Sequence, residues 1–145
     1  LVGGPPKREG AELVEGLSLN LINLMLFGAN LLNRGEYARA WALLGKAHEN
    51  LLKLARLHEG ETDHWPTPSR GLEIDLSGNA YRRYLTCTAS AERVPLCRAY
   101  CESWRWSREL IEAVVRPHNI ELPQSVMAQL EILLDNVTAD PNPNP

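Results

Sequence analysis

The sequence contains few cysteines, and they form no pairing pattern. Its 145 residues include only Cys87, Cys97 and Cys101, and no two of them form a CxxC motif. A secreted disulfide scaffold uses more cysteines, in even number. The composition therefore favours reduced thiols and predicts a cytoplasmic protein.

A concentration of charge of one sign is also absent. The chain carries 15 basic and 18 acidic residues, and the basic ones are scattered among the acidic ones. A nucleic-acid-binding domain normally gathers basic residues on one surface. We therefore expect neither a nucleic acid nor an anionic membrane as a partner.

Long uninterrupted hydrophobic runs are missing. The most apolar stretch, residues 17–32, is short and contains Asn20, Asn23 and Asn30. Because a membrane-spanning helix needs about 20 consecutive apolar residues, this composition argues against a membrane span. No basic segment precedes the stretch, as a secretory signal peptide would require.

The motifs of phosphate chemistry are missing as well. A nucleotidyltransferase holds Mg²⁺ against a triphosphate with two or three carboxylates that follow a Gly-Ser turn. No Gly-Ser followed by Asp-x-Asp occurs here, and no GxxxxGK[ST] motif occurs either. The nearest carboxylate pair, Glu73 and Asp75, lies on a predicted helix. We expect no catalysis by this chain alone.

Potential metal ligands occur only in incomplete motifs. His48 and His58 are each followed by glutamate, as in HExxH, but the second histidine is missing in both cases. Cys97 and Cys101 share a helical face without further ligands at a recognisable spacing. We therefore expect no metal and no cofactor in this chain. The thiols are interpreted as small buried residues with raised pKa values, and His48 as a hydrogen-bonded core residue.

What is present is helical periodicity along most of the chain, with no convincing strand pattern. The spacing of apolar residues predicts four long and two short helices. They cover residues 10–33, 36–59, 69–77, 79–90, 94–116 and 123–137. Gly35 ends the first helix, so the first two form an antiparallel hairpin. The predicted fold class is all-α, a compact bundle of five to six helices.

The same periodicity assigns residues to helix faces. On the second helix, Trp41, His48 and His58 fall on the stripe predicted to be buried, and Arg56 falls on the opposite, solvent-facing side. On the first helix, Gly28 lies on the main apolar stripe. Its missing side chain predicts the close approach of another helix.

Proline-rich segments lie at both ends. The opening Leu-Val-Gly-Gly-Pro-Pro resembles an interdomain linker, and the closing Asp-Pro-Asn-Pro-Asn-Pro cannot form a helix. We expect a linker at residues 1–9, a helical domain at 10–137 and a disordered tail at 138–145. The opening also leads us to expect a preceding domain, although processing or truncation would leave the same sequence.

Residues 60–70 interrupt the helical pattern with two prolines and a group of charged and aromatic side chains. That group consists of Glu61, Asp63, His64, Trp65 and Arg70. Proline lowers the entropy lost on ordering such a loop. Tryptophan beside carboxylates and a histidine can form the wall of a site for a sugar-like or cationic ligand. In the alternative interpretation the loop is structural, with Trp65 filling the core and Ser69 capping the next helix.

Several segments of the chain resemble one known family. The run Leu-Phe-Gly-Ala-Asn-Leu-Leu-Asn-Arg-Gly-Glu-Tyr-Ala-Arg-Ala at residues 26–40 is similar to the first hairpin of the C-terminal domain of lincosamide nucleotidyltransferases. The similarity continues through residues 43–46 and 57–63, includes His-Trp-Pro-Thr-Pro-Ser-Arg at 64–70, and extends weakly to 104–110. Nearly the whole chain is covered, and the run at 64–70 is its most specific part.

The resemblance implies a role in a two-domain enzyme. In that family an N-terminal α/β domain holds Mg²⁺ and the nucleoside triphosphate, and the helical domain supports dimerisation and helps to form the antibiotic pocket. The implied reaction transfers a nucleoside monophosphate to a hydroxyl of clindamycin or lincomycin. This chain lacks the N-terminal half, so the implied partners are a separate nucleotidyltransferase domain, a small-molecule antibiotic and a second copy in a homodimer. The substrate domains of aminoglycoside nucleotidyltransferases share the architecture, which leaves the antibiotic class open.

Together with the loop composition, the resemblance selects six residues as facing the pocket. They are Glu59, Glu61, Asp63, His64, Trp65 and Arg70. The carboxylates are expected to accept hydrogen bonds from ligand hydroxyls or an amine, Trp65 to stack, and Arg70 to orient a carboxylate or phosphate.

Two other functions compatible with the sequence are a helical partner of a separately encoded minimal nucleotidyltransferase, of the antitoxin–toxin type, and a purely structural oligomerisation module. Some partners of the first type are ribonucleases with an arginine and a histidine four to six residues apart. Here the separation from Arg56 is too short to His58 and too long to His64. Ribonuclease activity is therefore disfavoured.

Overall fold

The computed structural model describes residues 10–138 of the chain, so the linker predicted at 1–9 and nearly all of the predicted tail lie outside the described residues. Within this range the regular elements are six helices. They are α1 (Gly10–Asn33), α2 (Tyr37–Glu59), α3 (Leu72–Asp75), α4 (Gly78–Thr86), α5 (Arg93–Val115) and α6 (Gln124–Thr138). The prediction of an all-α fold is confirmed.

The α1–α2 hairpin is formed as predicted. Gly35 has a positive φ of 76°, and the amides of Gly35 and Glu36 donate to the carbonyls of Leu32 and Leu31 at 3.0 and 2.9 Å. This double hydrogen bond is a Schellman motif, which satisfies the last carbonyls of α1 and reverses the chain. Away from the turn, Asn20 donates to Asn50 at 3.1 Å, as an antiparallel pairing requires.

The remaining long helices complete one core around the hairpin. α5 packs against both α1 and α2, and α6 packs against α1 and α5. The centre of this packing is Tyr100, which is fully buried and donates its hydroxyl proton to the Ala40 carbonyl at 2.6 Å. Its ring lies against Gly28, where a Cβ atom would overlap the phenol. The close approach predicted at Gly28 is therefore confirmed.

α1 is the one helix of residues 10–138 that is long and apolar enough to cross a membrane by length and composition alone. A core helix of a helical bundle meets the same criterion. In this fold α1 contributes Leu21, Ile22, Met25 and Leu31 to the core and contacts three other helices.

The short helices differ from their predicted bounds. α3 covers only four residues and follows Gly71, so the prediction that Ser69 caps this helix is wrong. Ser77 is a capping residue instead, because its hydroxyl accepts a hydrogen bond from the Ala80 amide at the start of α4. α4 ends at Thr86, four residues before its predicted end.

Three helix-face assignments on α2 are also wrong. Trp41 is half exposed, and its indole donates to the Ala89 carbonyl at 2.8 Å. His58, also predicted to be buried, is exposed, whereas Arg56 is fully buried. Helical periodicity places a side chain by its angle alone, and near the end of α2 the loop of residues 60–71 covers the face that would otherwise contact solvent.

Replacing Gly28 by alanine tests the packing against Tyr100. We expect Gly28→Ala to lower the free energy of unfolding by about 1–2 kcal/mol, because the overlap with a buried ring outweighs the gain in helix propensity. Urea unfolding followed by circular dichroism measures the change.

The matched control is Gly45→Ala, since a Cβ at this position in α2 meets no atom within 4 Å. It should raise the stability by about 0.5–1 kcal/mol. Equal effects of the two substitutions would contradict this account of the packing.

Candidate functional site

The candidate site begins with a buried guanidinium group. Arg56, in the last turn of α2, donates to the carbonyls of Pro68, Glu61 and Arg70 at 2.9, 3.1 and 2.8 Å. Its Nη1 also donates to the Asp75 carboxylate at 2.8 Å. A buried charge is tolerated only when it is paired and hydrogen-bonded, and here three of the acceptors are carbonyls of the loop at residues 60–71. Arg56 therefore holds that loop against the helix.

Asp75 of α3 joins the same cluster. Its Oδ2 accepts from Arg56 Nη1 and from Nδ1 of His64, the second at 2.6 Å. The hydrogen bond from the Arg56 guanidinium is the main cause that lowers the pKa of the Asp75 carboxyl below its ordinary value, and the hydrogen bond from the His64 imidazole is the second. The His64 ring packs against Gly71 and is about two thirds buried. His64 thus fastens the loop to α3 and keeps its other nitrogen, Nε2, outside this cluster.

Trp65 points inward from the loop. Its side chain is only 5 % exposed, and the Lys53 ammonium lies 5.3 Å from the centre of the ring. Burial of the indole is what the structural interpretation of the loop expects, and the ammonium adds a cation–π contact. A ligand could stack on this face of Trp65 only after Lys53 moved.

Glu59 ends α2 and acts on the start of α4. Its two carboxylate oxygens accept from the amide and the hydroxyl of Ser77, each at 2.8 Å. A carboxylate at a helix N-terminus satisfies free amides and is favoured by the helix dipole. Glu59 also lines a shallow groove together with His58, Asn79, Arg83 and Glu109.

The remaining predicted site residues, Glu61, Asp63 and Arg70, are exposed on the loop. Their side chains form no hydrogen bond or ion pair with the described residues, although the carbonyls of Glu61 and Arg70 bind Arg56. Glu59 lines one of four grooves on the described part of the chain, and the other five selected residues line none of these four. The structure places the others along the loop and not around one cavity.

The groove closest to this loop has a different lining. α2 contributes Gly45, His48, Glu49 and Leu52, the loop contributes residues 66–69, and α4 contributes Tyr84. We call it the His48 groove. Its volume is about 410 Å³, within the range of sites for small molecules. One wall is therefore the segment whose backbone Arg56 holds in place.

His48 is the most deeply placed polar residue of the groove, with 8 % of its surface exposed. Its Nε2 lies 3.0 Å from the Ser103 hydroxyl, which donates to the Cys87 carbonyl at 3.3 Å. Because that hydroxyl has a single proton, it accepts from Nε2–H, and Nδ1 of the neutral ring is left as an acceptor. Burial lowers the pKa of His48 to about 4, so the ring is neutral near pH 7.

The cysteines take no part in the groove. Burial raises the pKa values of Cys87 and Cys97, and it raises that of Cys101 to about 11. A thiol must ionise to act as a nucleophile, so these side chains are protonated and unreactive near pH 7. The raised pKa values expected from their apolar surroundings are confirmed.

A comparison with known protein families identifies the family of this chain. The family model described as the lincosamide nucleotidyltransferase-like C-terminal domain matches residues 10–133. The chain belongs to this family. No curated protein matches the chain. The matched segment contains all six helices except the end of α6, so the loop, the Arg56 cluster and the His48 groove all lie inside the lincosamide nucleotidyltransferase-like domain.

The resemblance implies Mg²⁺ bound to a nucleoside triphosphate, and a metal ion needs several ligands that come together. Within residues 10–138 no three His, Cys, Asp or Glu side chains come together at a metal-binding spacing. Of the nearest carboxylate pair, Glu73 is exposed and Asp75 already accepts from Arg56 and His64. We assign no step of nucleotide transfer to these side chains.

Sequence reasoning missed the residues that organise the site of this lincosamide nucleotidyltransferase-like domain. Arg56 was assigned to solvent, Asp75 was considered only as half of a carboxylate pair, and Ser103 and Tyr84 were not singled out. A loop rich in proline has more backbone carbonyls than backbone amides to pair them, so these carbonyls need a donor from elsewhere. Arg56, four residues before Gly60, was the residue whose position could have indicated this role.

Removing the Arg56 guanidinium should destabilise the domain. We expect Arg56→Met to lower the free energy of unfolding by about 3 kcal/mol, because three loop carbonyls and the Asp75 carboxylate lose their donor. Urea unfolding gives this value, and hydrogen exchange of the loop amides shows whether the loop opens.

The matched control is Arg70→Met, because the exposed Arg70 guanidinium forms no hydrogen bond or ion pair with the described residues. It should change the stability by less than about 0.5 kcal/mol. Similar losses for the two variants would show that the buried guanidinium has no special role.

His48 should make stability depend on pH. The unfolded chain protonates this imidazole near pH 6.5, whereas the folded chain resists protonation down to about pH 4. The contribution of His48 is therefore complete above pH 6.5 and falls by about 3 kcal/mol as the pH decreases to 4. Urea unfolding at a series of pH values measures it.

In His48→Phe this pH dependence should disappear between pH 6.5 and 4. The depressed pKa of Asp75 contributes a separate loss, confined to pH values below its ordinary pKa of 3.8. Parallel stability curves for the wild type and His48→Phe would refute the assignment to His48.

Proposed function

We propose that this chain is the substrate-binding and dimerisation part of a lincosamide nucleotidyltransferase, the enzyme that transfers a nucleoside monophosphate to a drug hydroxyl and so confers antibiotic resistance. The family match over residues 10–133 carries the proposal. The substrate is a small-molecule antibiotic, and the lincosamides are the class that the family description favours.

The proposal divides the work between two domains. A nucleotidyltransferase domain, preceding this chain or encoded separately, would bind Mg²⁺ and the nucleoside triphosphate, and this chain would hold and orient the drug. The state of the carboxylates near the loop supports this division. Within residues 10–138 they are either paired with Arg56, His64 or Ser77 or lie apart in solvent, so they are not grouped to hold a metal ion. The isolated chain would then bind the drug without modifying it.

The exposed side chains of the loop fit such a two-domain arrangement. Glu61, Asp63 and Arg70 project from a backbone that Arg56 keeps rigid, and the hydrogen bond of His64 to Asp75 uses Nδ1 and leaves Nε2 outside it. Rigid backbone with free polar side chains is a favourable basis for binding, since little entropy is lost when the ligand arrives. That the six selected residues contact the ligand stays a prediction. Glu59 and Trp65 are less available for such contacts, because they already contact Ser77 and Lys53.

Homodimerisation and a cytoplasmic location complete the proposal. Phe27, Trp41 and Ile132 are large apolar side chains that stay substantially exposed in the single chain. Burial of such residues is a common driving force of self-association. The three free thiols are compatible with a reducing compartment.

A titration of the chain with lincomycin and clindamycin tests this function. Calorimetry is carried out on the chain alone and on its mixture with a lincosamide nucleotidyltransferase N-terminal domain, and mass spectrometry follows nucleotide transfer from Mg²⁺–ATP. We expect drug binding by the chain, no transfer by the chain alone, and transfer in the mixture. Asp63→Asn should weaken drug binding by about threefold, because an exposed charge pair contributes little.

The matched control for Asp63→Asn is Asp135→Asn, an exposed carboxylate on α6 far along the chain from the loop. It should leave the affinity unchanged. Absence of binding in both settings would remove the proposed function, and transfer by the purified chain alone would remove the proposed division of work.

A further inference from the structure

The His48 groove has the properties of a binding site, although none of its lining residues belongs to the set selected from the sequence. We propose that it binds a small molecule that carries adjacent hydroxyls and an amine, of the amino-sugar type. The identification of this groove as the place where the drug binds rests on the proposed function. The groove itself is defined by contacts of described residues.

The walls of the groove are fixed before a ligand arrives. Pro66 and Pro68 restrict the loop wall, and the Pro68 carbonyl accepts from the buried Arg56 at 2.9 Å. The opposite wall is the middle of α2, a helix that packs along its length against α1 and α5. Ligand binding would therefore cost little ordering of the protein.

A deeply placed acceptor lies between these walls. Nδ1 of His48 has no hydrogen-bond partner among the described residues, because the ring's one hydrogen bond uses Nε2. The only fully buried side-chain nitrogen or oxygen without a partner in residues 10–138 is Ser18 Oγ. Nδ1 is therefore accessible, and His48 is one of the residues that line the groove. A ligand hydroxyl or ammonium can donate to it.

The other groups of the groove select the class of ligand. Glu49 supplies a carboxylate at the rim, and Thr67, Ser69 and Tyr84 supply hydroxyls. Glu49 forms no ion pair with the described residues, so it can bind an amine. Tyr84 stays protonated near pH 7, because burial raises its pKa. Apolar surface comes from Leu52 and the prolines, which suits the carbon face of a sugar ring.

Anionic ligands are disfavoured by the same inventory. The groove contains one carboxylate and a histidine that is neutral near pH 7, and no lysine or arginine lines it. A phosphate or carboxylate would meet Glu49 without a compensating cation. The groove therefore suits the hydroxyl- and amine-bearing part of a substrate, and not the nucleotide.

The test is a titration of the whole chain, labelled with ¹⁵N, with three probes. Glucosamine carries hydroxyls and an amine, methyl glucoside carries hydroxyls only, and lincomycin is the proposed drug. We expect glucosamine and lincomycin to shift the amide signals of residues 45–52, 66–69 and 84, with glucosamine about threefold tighter than methyl glucoside. A long-range ¹H–¹⁵N spectrum should show His48 protonated at Nε2 and should show Nδ1 shifting on binding.

Three variants identify the groups. His48→Phe keeps a ring beside Tyr84 but removes the acceptor, and it should weaken glucosamine about tenfold. Tyr84→Phe removes one hydroxyl and should weaken it several-fold. The control for the second substitution is Tyr81→Phe, which removes a hydroxyl from the same helix outside the groove and should have no effect. Unfolding curves confirm that each variant is folded before its affinity is compared.

The outcomes separate this inference from the proposed function. Shifts in the groove from glucosamine but no binding of lincomycin would support the site and oppose the proposed drug. Lincomycin shifts confined to residues 61–64 and 70 would overturn the site and leave the proposed function standing. No shift from any probe, or unchanged affinity in His48→Phe, would also overturn it.

Discussion

The loop between α2 and α3 depends on one buried guanidinium. Arg56 has no exposed surface and donates to three loop carbonyls and one carboxylate, so the segment of residues 60–71 is held by contacts that no secondary structure could supply. Removing such a cluster from water costs free energy. Breaking it also costs free energy, because loss of the cation leaves several buried acceptors without a donor. The other features of the site follow from this constraint. Asp75 and His64 join it from α3 and the loop, and the proline wall of the His48 groove is set by it.

The proposed function requires a surface that orients a ligand, and the described residues offer polar groups on a backbone that Arg56 holds in place. Carboxylates that could approach a metal ion are paired with protein donors or stand alone, and thiols that could attack a substrate are kept protonated by burial. What remains accessible is a neutral imidazole acceptor, several hydroxyls and isolated charges on a fixed backbone. A two-domain enzyme can use such a surface to orient one substrate while another domain activates the second.

The fold was largely predictable from the sequence, whereas the contacts within the candidate site were not. The long helices begin and end within one residue of the predicted positions, because each carries a complete apolar stripe and a clear stop such as Gly35. The loop was correctly recognised as the unusual segment. Its polar side chains were the visible signal, yet its organising residue was assigned to solvent. Arg56 occupies the polar face of α2 by periodicity, and only the return of the chain over that face buries it.

By itself the sequence determined the long helices, the hairpin, the close contact at Gly28 and the family, because these follow from local spacing, turn chemistry and residue identity along the chain. The tertiary structure decided which polar groups face one another. It brought Arg56 to Asp75, His64 to the same carboxylate, and Ser103 of α5 to His48 of α2, across separations of 11 to 55 residues. These pairings depend on the angles at which helices cross and on the path of one irregular loop. The spacing of residues along the sequence does not specify the crossing angles or the path of the loop, because both arise from the packing of the whole chain.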